Sequence, residues 1–201
     1  MNKRHLCASA LLACALVLTA CGASGDDTAS SPSTAGSTSA ESAKGNAADI
    51  AFLTGMKPHH EQAVEMSEMV LAADPPAEVA AIDQQIKGAQ DPEIARMTTM
   101  LADLGRKPAG GKDHGSSMAS GMAGHGGMMS GTEMAALMDA SGTAAARLYL
   151  EGMVRRHQGA IQASDAELKG GTHAPARELA QRIEQAQTAE ITTMQALPNA
   201  L

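Results

Sequence analysis

The strongest constraint on the fold is that the chain states one pattern twice. Phe52-Leu53-Thr54-Gly55-Met56-Lys57-Pro58-His59-His60-Glu61-Gln62-Ala63-Val64 matches Tyr149-Leu150-Glu151-Gly152-Met153-Val154-Arg155-Arg156-His157-Gln158-Gly159-Ala160-Ile161, pairing Met56 with Met153, His60 with His157, and the only Phe with the only Tyr. At the same offset Ile86, Ala89, Gln90, Glu93, Ile94 and Met97 fall on Ile183, Ala186, Gln187, Glu190, Ile191 and Met194. Two blocks agreeing at one offset mean a duplicated unit with two helical segments in each half. Apolar stripes at helical spacing without a strand signal give an all-α fold. Neither hairpin can bury its stripe alone. The expected architecture is therefore an antiparallel four-helix bundle, with the halves related by a pseudo-twofold axis.

The helix boundaries follow from local signals. A first helix is expected from near Asn46 or Asp49 to Ala72, stopped by Asp74-Pro75-Pro76, and a second from about Ala77 to Leu104. Pro58 and Pro92 fall inside these helices, where each removes a backbone hydrogen bond and predicts a kink. Residues 105–131 carry Gly, Ser, His and Met but no branched aliphatic side chain, and read as a mobile loop. A short helix from Glu133 to Ala140, with Thr132 as its cap, is broken by Gly142. A third long helix is expected from about Thr143 to Lys169, and a fourth beyond Pro175 to about Leu197.

The N-terminus belongs to targeting rather than to the fold. Lys3 and Arg4 precede a short apolar run from Leu6 to Ala20, which reads as a secretory signal over residues 1–20 and is too short to span a membrane stably. The run ends Leu18-Thr19-Ala20-Cys21-Gly22, which resembles the lipobox of bacterial lipoproteins. That resemblance implies cleavage before Cys21, lipidation of Cys21 and extracytoplasmic anchoring to the cell membrane. Cys7 and Cys14 leave with the signal, so the mature chain keeps no free thiol and no disulfide. Residues 21–45 are a Ser/Thr/Ala/Gly tether, and 46–201 form the one domain long enough for a core. Net charge is −7, and about −9 once Lys3 and Arg4 are removed. An acidic chain with one Phe, one Tyr and no Trp lacks the basic patches and stacking faces that nucleic acid requires.

Met56 and His60 lie one turn apart on one helix face with His59 beside them, and Met66 follows two turns beyond His59. Met153 and His157 repeat the pair. This i, i+4 spacing lets one helix offer two side chains to one ion. A single such pair is more often core packing and a hydrogen-bonded histidine. The repetition, the His-His doublet and the scarcity of aromatic filler turn the balance toward a metal. Met97 and Met194 lie on the partner helices as ligand candidates, although core packing is the commoner role. Glu93 and Glu190, one turn before them, are candidates to orient an imidazole through its free N–H, or else plain surface charges. His114, Met118, Met122, His125, Met128 and Met129 form a candidate accessory capture set in the loop, against the alternative of low-complexity drift. Met134 and Met138 are expected to pack, and His173 to be solvated.

Thioethers favour copper, above all Cu(I), while imidazole serves both oxidation states. Zinc prefers thiolate or more histidines. A di-iron centre needs Glu-x-x-His pairs, and none occurs in the chain.

Asp49, Phe52-Leu53, Met56, Pro58-His59-His60, Gln90 and Glu93-Ile94 resemble the DUF305 family, ferritin-like four-helix proteins of bacterial envelopes. The match continues through Met128-Met129-Ser130, Glu133-Met134, Leu137, Leu148 to Ile161, Gln187 and Glu190-Ile191. Some members of that family bind copper and are associated with copper resistance, so the resemblance implies copper as the metal. Asp49, among the matching positions, joins Glu93 and Glu190 as a candidate to support the ligands. The second half departs from the pattern: Arg156 replaces the first histidine, Ala146 stands opposite Asp49 and Ala163 opposite Met66. The main site is therefore expected in the first half, with Met153 and His157 joining it or forming a remnant.

The leading expectation is a lipid-anchored copper-binding protein that sequesters Cu(I) or passes it to a delivery partner, and is not an enzyme. The alternatives are an interaction module on the cell envelope with no metal, and a copper-dependent redox protein. The oligomeric state is left open.

Overall fold

The computed structural model describes residues 45–106 and 126–197, and these residues are all helix, turn and short connection. Among the described residues the helices are α1 (Ala47–Ala72), α2 (Ala77–Asp103), α3 (Gly131–Asp139), α4 (Gly142–Gly170) and α5 (Ala174–Ala196). The all-α class read from the sequence stands. The signal, the tether with Cys21, and His114, Met118, Met122 and His125 lie outside the described residues. Among the described residues no helix is long and apolar enough to cross a membrane.

Capping chemistry sets the helix ends. At α1 the Asn46 side chain accepts from the Ala48 and Asp49 N–H groups at 2.8 and 3.2 Å, and the Asn46 N–H donates to Asp49 Oδ2 at 2.5 Å. This reciprocal box satisfies N–H groups that an open helix end leaves unpaired. Asp74 turns the chain with a positive φ of 53° ahead of Pro75 and Pro76. At the far end of α2, Arg106 N–H returns to Leu101 O at 2.8 Å and Gly105 N–H to Ala102 O at 2.9 Å. With Gly105 at φ 69° this is a Schellman stop, a left-handed turn at low cost only to glycine.

Helix α3 starts two residues before its expected first residue. Its cap is Ser130, not Thr132: Ser130 Oγ accepts from Glu133 N–H at 3.3 Å and Ser130 N–H donates to Glu133 Oε2 at 2.8 Å. Gly142 opens α4 and donates its N–H to Ala73 O at 2.7 Å, joining the α1–α2 turn to the start of the second half. Both α1 and α2 continue through their internal prolines.

Helix α1 packs on α2, and α4 on α5. The halves meet through α1 against α4 and α2 against α5. Two apolar clusters result. One contains Phe52, Leu53, Met56, Met97, Leu179 and Ile183. The other contains Met66, Ile86, Met129, Tyr149, Leu150, Met153 and Met194. With so few aromatic side chains, flexible methionines fill the irregular space between helices. Met138 corrects the packing expectation, for it stays 64% exposed while Met134 alone leans on the core.

Candidate metal centre

The duplicated histidines sit in duplicated surroundings. His60 on α1 meets Glu93 on α2, Nε2 to Oε2 at 2.8 Å. His157 on α4 meets Glu190 on α5 with the same atoms at the same 2.8 Å. Each pair is 33 residues apart in sequence. An ionised carboxylate accepts, so a neutral imidazole here carries its proton on Nε2 and keeps its lone pair on Nδ1. His60 Nδ1 is buried without a hydrogen-bond partner. Metal-binding histidines use this carboxylate support on the nitrogen remote from the ion. Glu93 and Glu190 thus face the histidines, as expected from the hairpin.

His59 lies beside His60, the ring centroids 6.2 Å apart, and both are almost wholly buried. Burial holds His157 below the usual histidine pKa. The hydrogen bond and charge of Glu190 oppose that shift, while the charges of Arg156 and His60 add to it. A neutral imidazole is the form that can donate to a metal.

The structure divides the candidate methionines. Met56 and Met97 lie in the Phe52 cluster; Met66, Met129, Met153 and Met194 lie in the Tyr149 cluster. All are at most 5% exposed. Met66 and Met129 converge over Gly152 of α4, where a Cβ would lie 2.7 Å from Met129 Sδ and 3.1 Å from Met66 Cε. Among the described residues no three His, Cys, Asp or Glu side chains are grouped to hold an ion.

Several candidate roles change. Asp49 is spent elsewhere: its carboxylate accepts from Asn46 N–H, and from the Thr172 and His173 N–H groups at 3.0 and 2.8 Å. It lies three helical turns before His60, so it secures the start of α1 rather than supporting a ligand. Met129 is not part of a mobile loop, for it is 5% exposed and held by Gln62; Met128 beside it is half-buried. His173 is buried at 8% exposure, not solvated, because it sits at the tight α4–α5 corner.

Arg156, opposite His59 in the duplication, is completely buried and donates through Nη1 to Gln62 Oε1. Its Nε and Nη2 have no hydrogen-bond partner. Burial pulls its pKa down to about 9, leaving it a cation at neutral pH.

Gln62, Gly152 and Gly159 were not singled out by spacing. A Cβ on Gly159 would lie 1.6 Å from Gly126 O, so the 126–130 segment lies directly on α4. Two glycines one heptad apart on one helix face were the available signal.

The fold and the twin His–Glu pairs define an all-α protein of duplicated helical hairpins with buried imidazoles backed by carboxylates. The chain belongs to the DUF305 family, described as a domain of unknown function, whose model matches residues 49–198. It is similar to the crystal structure of a DUF305 protein described as secreted, from Streptomyces coelicolor, at 27% identity and TM-score 0.65, over 75% of this chain and 91% of that one. A DUF305 fragment from Deinococcus radiodurans matches at 26% identity and TM-score 0.65, over 78% and 98%. CopM in its Cu(II)-bound form matches at 25% identity and TM-score 0.62, over 76% and 97%. The Cu(I)-bound form of CopM, at 24% identity and TM-score 0.59 over 75% and 96%, shares the fold. No curated protein matches the chain.

Proposed function

We propose that this protein binds copper outside the cytoplasm, as Cu(I) above all, holding it for sequestration or delivery rather than using it in catalysis. The observation that carries the reading is the buried His60 imidazole, backed on Nε2 by Glu93 and open on Nδ1, in a methionine-filled interior. Support comes from the similarity to CopM, whose solved forms are copper-bound, and to a DUF305 protein described as secreted. His59, His60 and Met56 of α1 form the centre of the proposed site, with Met97 on α2. His157 and Met153 are the second-half counterparts, and Met66, Met129 and Met194 supply further thioethers. Cys21, lipidated, anchors the protein to the membrane surface and leaves the domain free to exchange metal with a partner protein.

Anaerobic competition with a Cu(I) chelator tests the reading. The full chain should take Cu(I) from the competitor, and the His59→Ala/His60→Ala variant should bind at least tenfold more weakly. Equal affinity in the two proteins would remove the first-half site. Catalytic turnover of oxygen or peroxide by the copper-loaded chain would favour the redox alternative.

A further inference from the structure

Residues 126–130 reach the helices at the end of a stretch whose composition predicts no fixed position, yet Met129 is buried. Three features fix it. Gly127, at φ 90°, passes so close to α4 that a Cβ would lie 2.1 Å from Arg155 O; Gly159 admits Gly126 O from the other side. Beyond Met129, Ser130 caps α3, and Glu133 of that cap pairs with Arg155 of α4 at 2.5 Å. Between these anchors the Gln62 side chain reaches across from α1. Its Oε1 accepts the Met129 N–H at 3.0 Å and its Nε2 donates to Met129 O at 2.9 Å. Arg156 Nη1 donates to the same Oε1, so the amide's orientation is set from both sides.

A side-chain amide pairing with both backbone groups of one residue fixes that residue in position and in rotation. The side chain it directs is the Met129 thioether, whose Sδ lies 2.7 Å, and the Met66 methyl 3.1 Å, from the place a Cβ on Gly152 would take. The second-half counterpart of Gln62 is Gly159, so this clamp belongs to one half only.

We propose that Gln62 is a positioning residue for the metal site: it holds Met129 against Met66 so that two thioethers are presented together to a soft cation, and Arg156 holds Gln62 in the orientation this needs. The inference rests on the copper reading for its ligand. Its geometric half, the placement of Met129, is independent of metal.

Two measurements on the full chain separate those halves. The first is metal-free: limited oxidation with peroxide, followed by peptide mass spectrometry. In Gln62→Ala, and in the shape-retaining Gln62→Met, Met129 should oxidise at least tenfold faster than in wild type, while Met56 and Met97 keep their wild-type rates. An unchanged Met129 rate overturns the clamp, and a uniform rise at all methionines means general loosening and overturns it equally.

The second is anaerobic Cu(I) competition on Gln62→Ala, Met129→Leu and the double variant. Each single change should weaken affinity, and the double should equal Met129→Leu alone, because Gln62 acts only through Met129. Additive losses would overturn the positioning role. Absence of Cu(I) binding by wild type, with Met129 still deprotected in Gln62→Ala, would sink the copper reading and the metal role of Gln62 together while leaving the geometry intact.

Discussion

Glycines of the long helices give opposite answers to the same substitution. Gly88 on α2 has nothing within 4 Å of the position a Cβ would take. Glycine in a helix interior costs about 0.5–1 kcal/mol relative to alanine, so Gly88→Ala should stabilise by about that amount. Gly159 on α4 gains the same propensity on becoming alanine, but its Cβ would land 1.6 Å from the Gly126 backbone oxygen. Backbone cannot rotate away as a side-chain tip can, so the 126–130 segment must lift. Gly159→Ala should therefore destabilise, by about 1–3 kcal/mol after overpacking is set against propensity, and should expose Met129. Gly152→Ala is intermediate, because its neighbours are the mobile ends of Met66 and Met129. Urea unfolding of the three variants checks the order: Gly88→Ala above wild type, Gly152→Ala below it, Gly159→Ala lowest.

Among the elements, the first turn of α1 is tied to the α4–α5 corner by a pair of carboxyl groups. Glu167 of α4 is 2% exposed and Asp49 is fully buried. Both reach toward Gly171, where a Cβ would lie 2.2 Å from Glu167 Oε1 and 2.7 Å from Asp49 Oδ1. Burial also penalises the Asp49 anion, but the hydrogen bond from Glu167 and the backbone N–H groups of Asn46, His173 and Thr172 outweigh it and hold the pKa at about 2. Burial, then the hydrogen bond to Asp49 and its charge, raise Glu167 to about 8, against the opposing charge of Arg177. At neutral pH Glu167 therefore keeps its proton beside the Asp49 carboxylate. The sign follows from linkage: the native state holds a proton that the unfolded chain releases near 4.5, so stability falls as pH rises from there toward 8. Asp49 acts oppositely, and its contribution is lost as pH falls from 3.8 toward about 2. Glu167→Gln, which keeps a donor but cannot ionise, should flatten the fall above pH 5 in urea midpoints. A wild-type slope persisting in Glu167→Gln would place its origin in other groups.

Much of this element-level structure was legible in the sequence. The helix ends carry capping residues, turn residues and prolines in local runs, and the repeat located the paired histidines and the glutamates 33 residues beyond them. The partnership of Asp49 with Glu167 was not legible, because it joins residues of different helices that no period relates. Gln62 was hidden for the same reason. An amide gripping a remote backbone leaves no pattern in spacing, and a Gly-rich stretch ending at Met128-Met129 reads as loop until the groove that receives it is known.

At the scale of the whole molecule the two halves repeat a helical hairpin but differ in chemistry. Asp49 and Glu167 correspond to Ala146 and Val70, which lie in an apolar cluster. Phe52 and Ala180 correspond to Tyr149 and Asp83, a buried pair in which burial raises the carboxyl pKa against the nearby Ser67 and Tyr149 hydroxyls and the charge of Lys87. The break that matters for metal is Arg156. Where the first half has a second imidazole, the second has a buried guanidinium whose charge already acts on His157. A copper ion bound through His157 alone would be repelled by that charge and would lack the second imidazole that His59 supplies beside His60. The full chain should therefore hold one Cu(I) equivalent against a strong competitor, not two, despite presenting two His–Glu pairs. Deleting residues 107–125, which carry His114, Met118, Met122 and His125, should remove only weaker equivalents and leave the tight one. Two tight equivalents in that deletion variant would show that Arg156 does not silence the second half, and a lost tight equivalent would place the main site among the deleted residues instead of at α1.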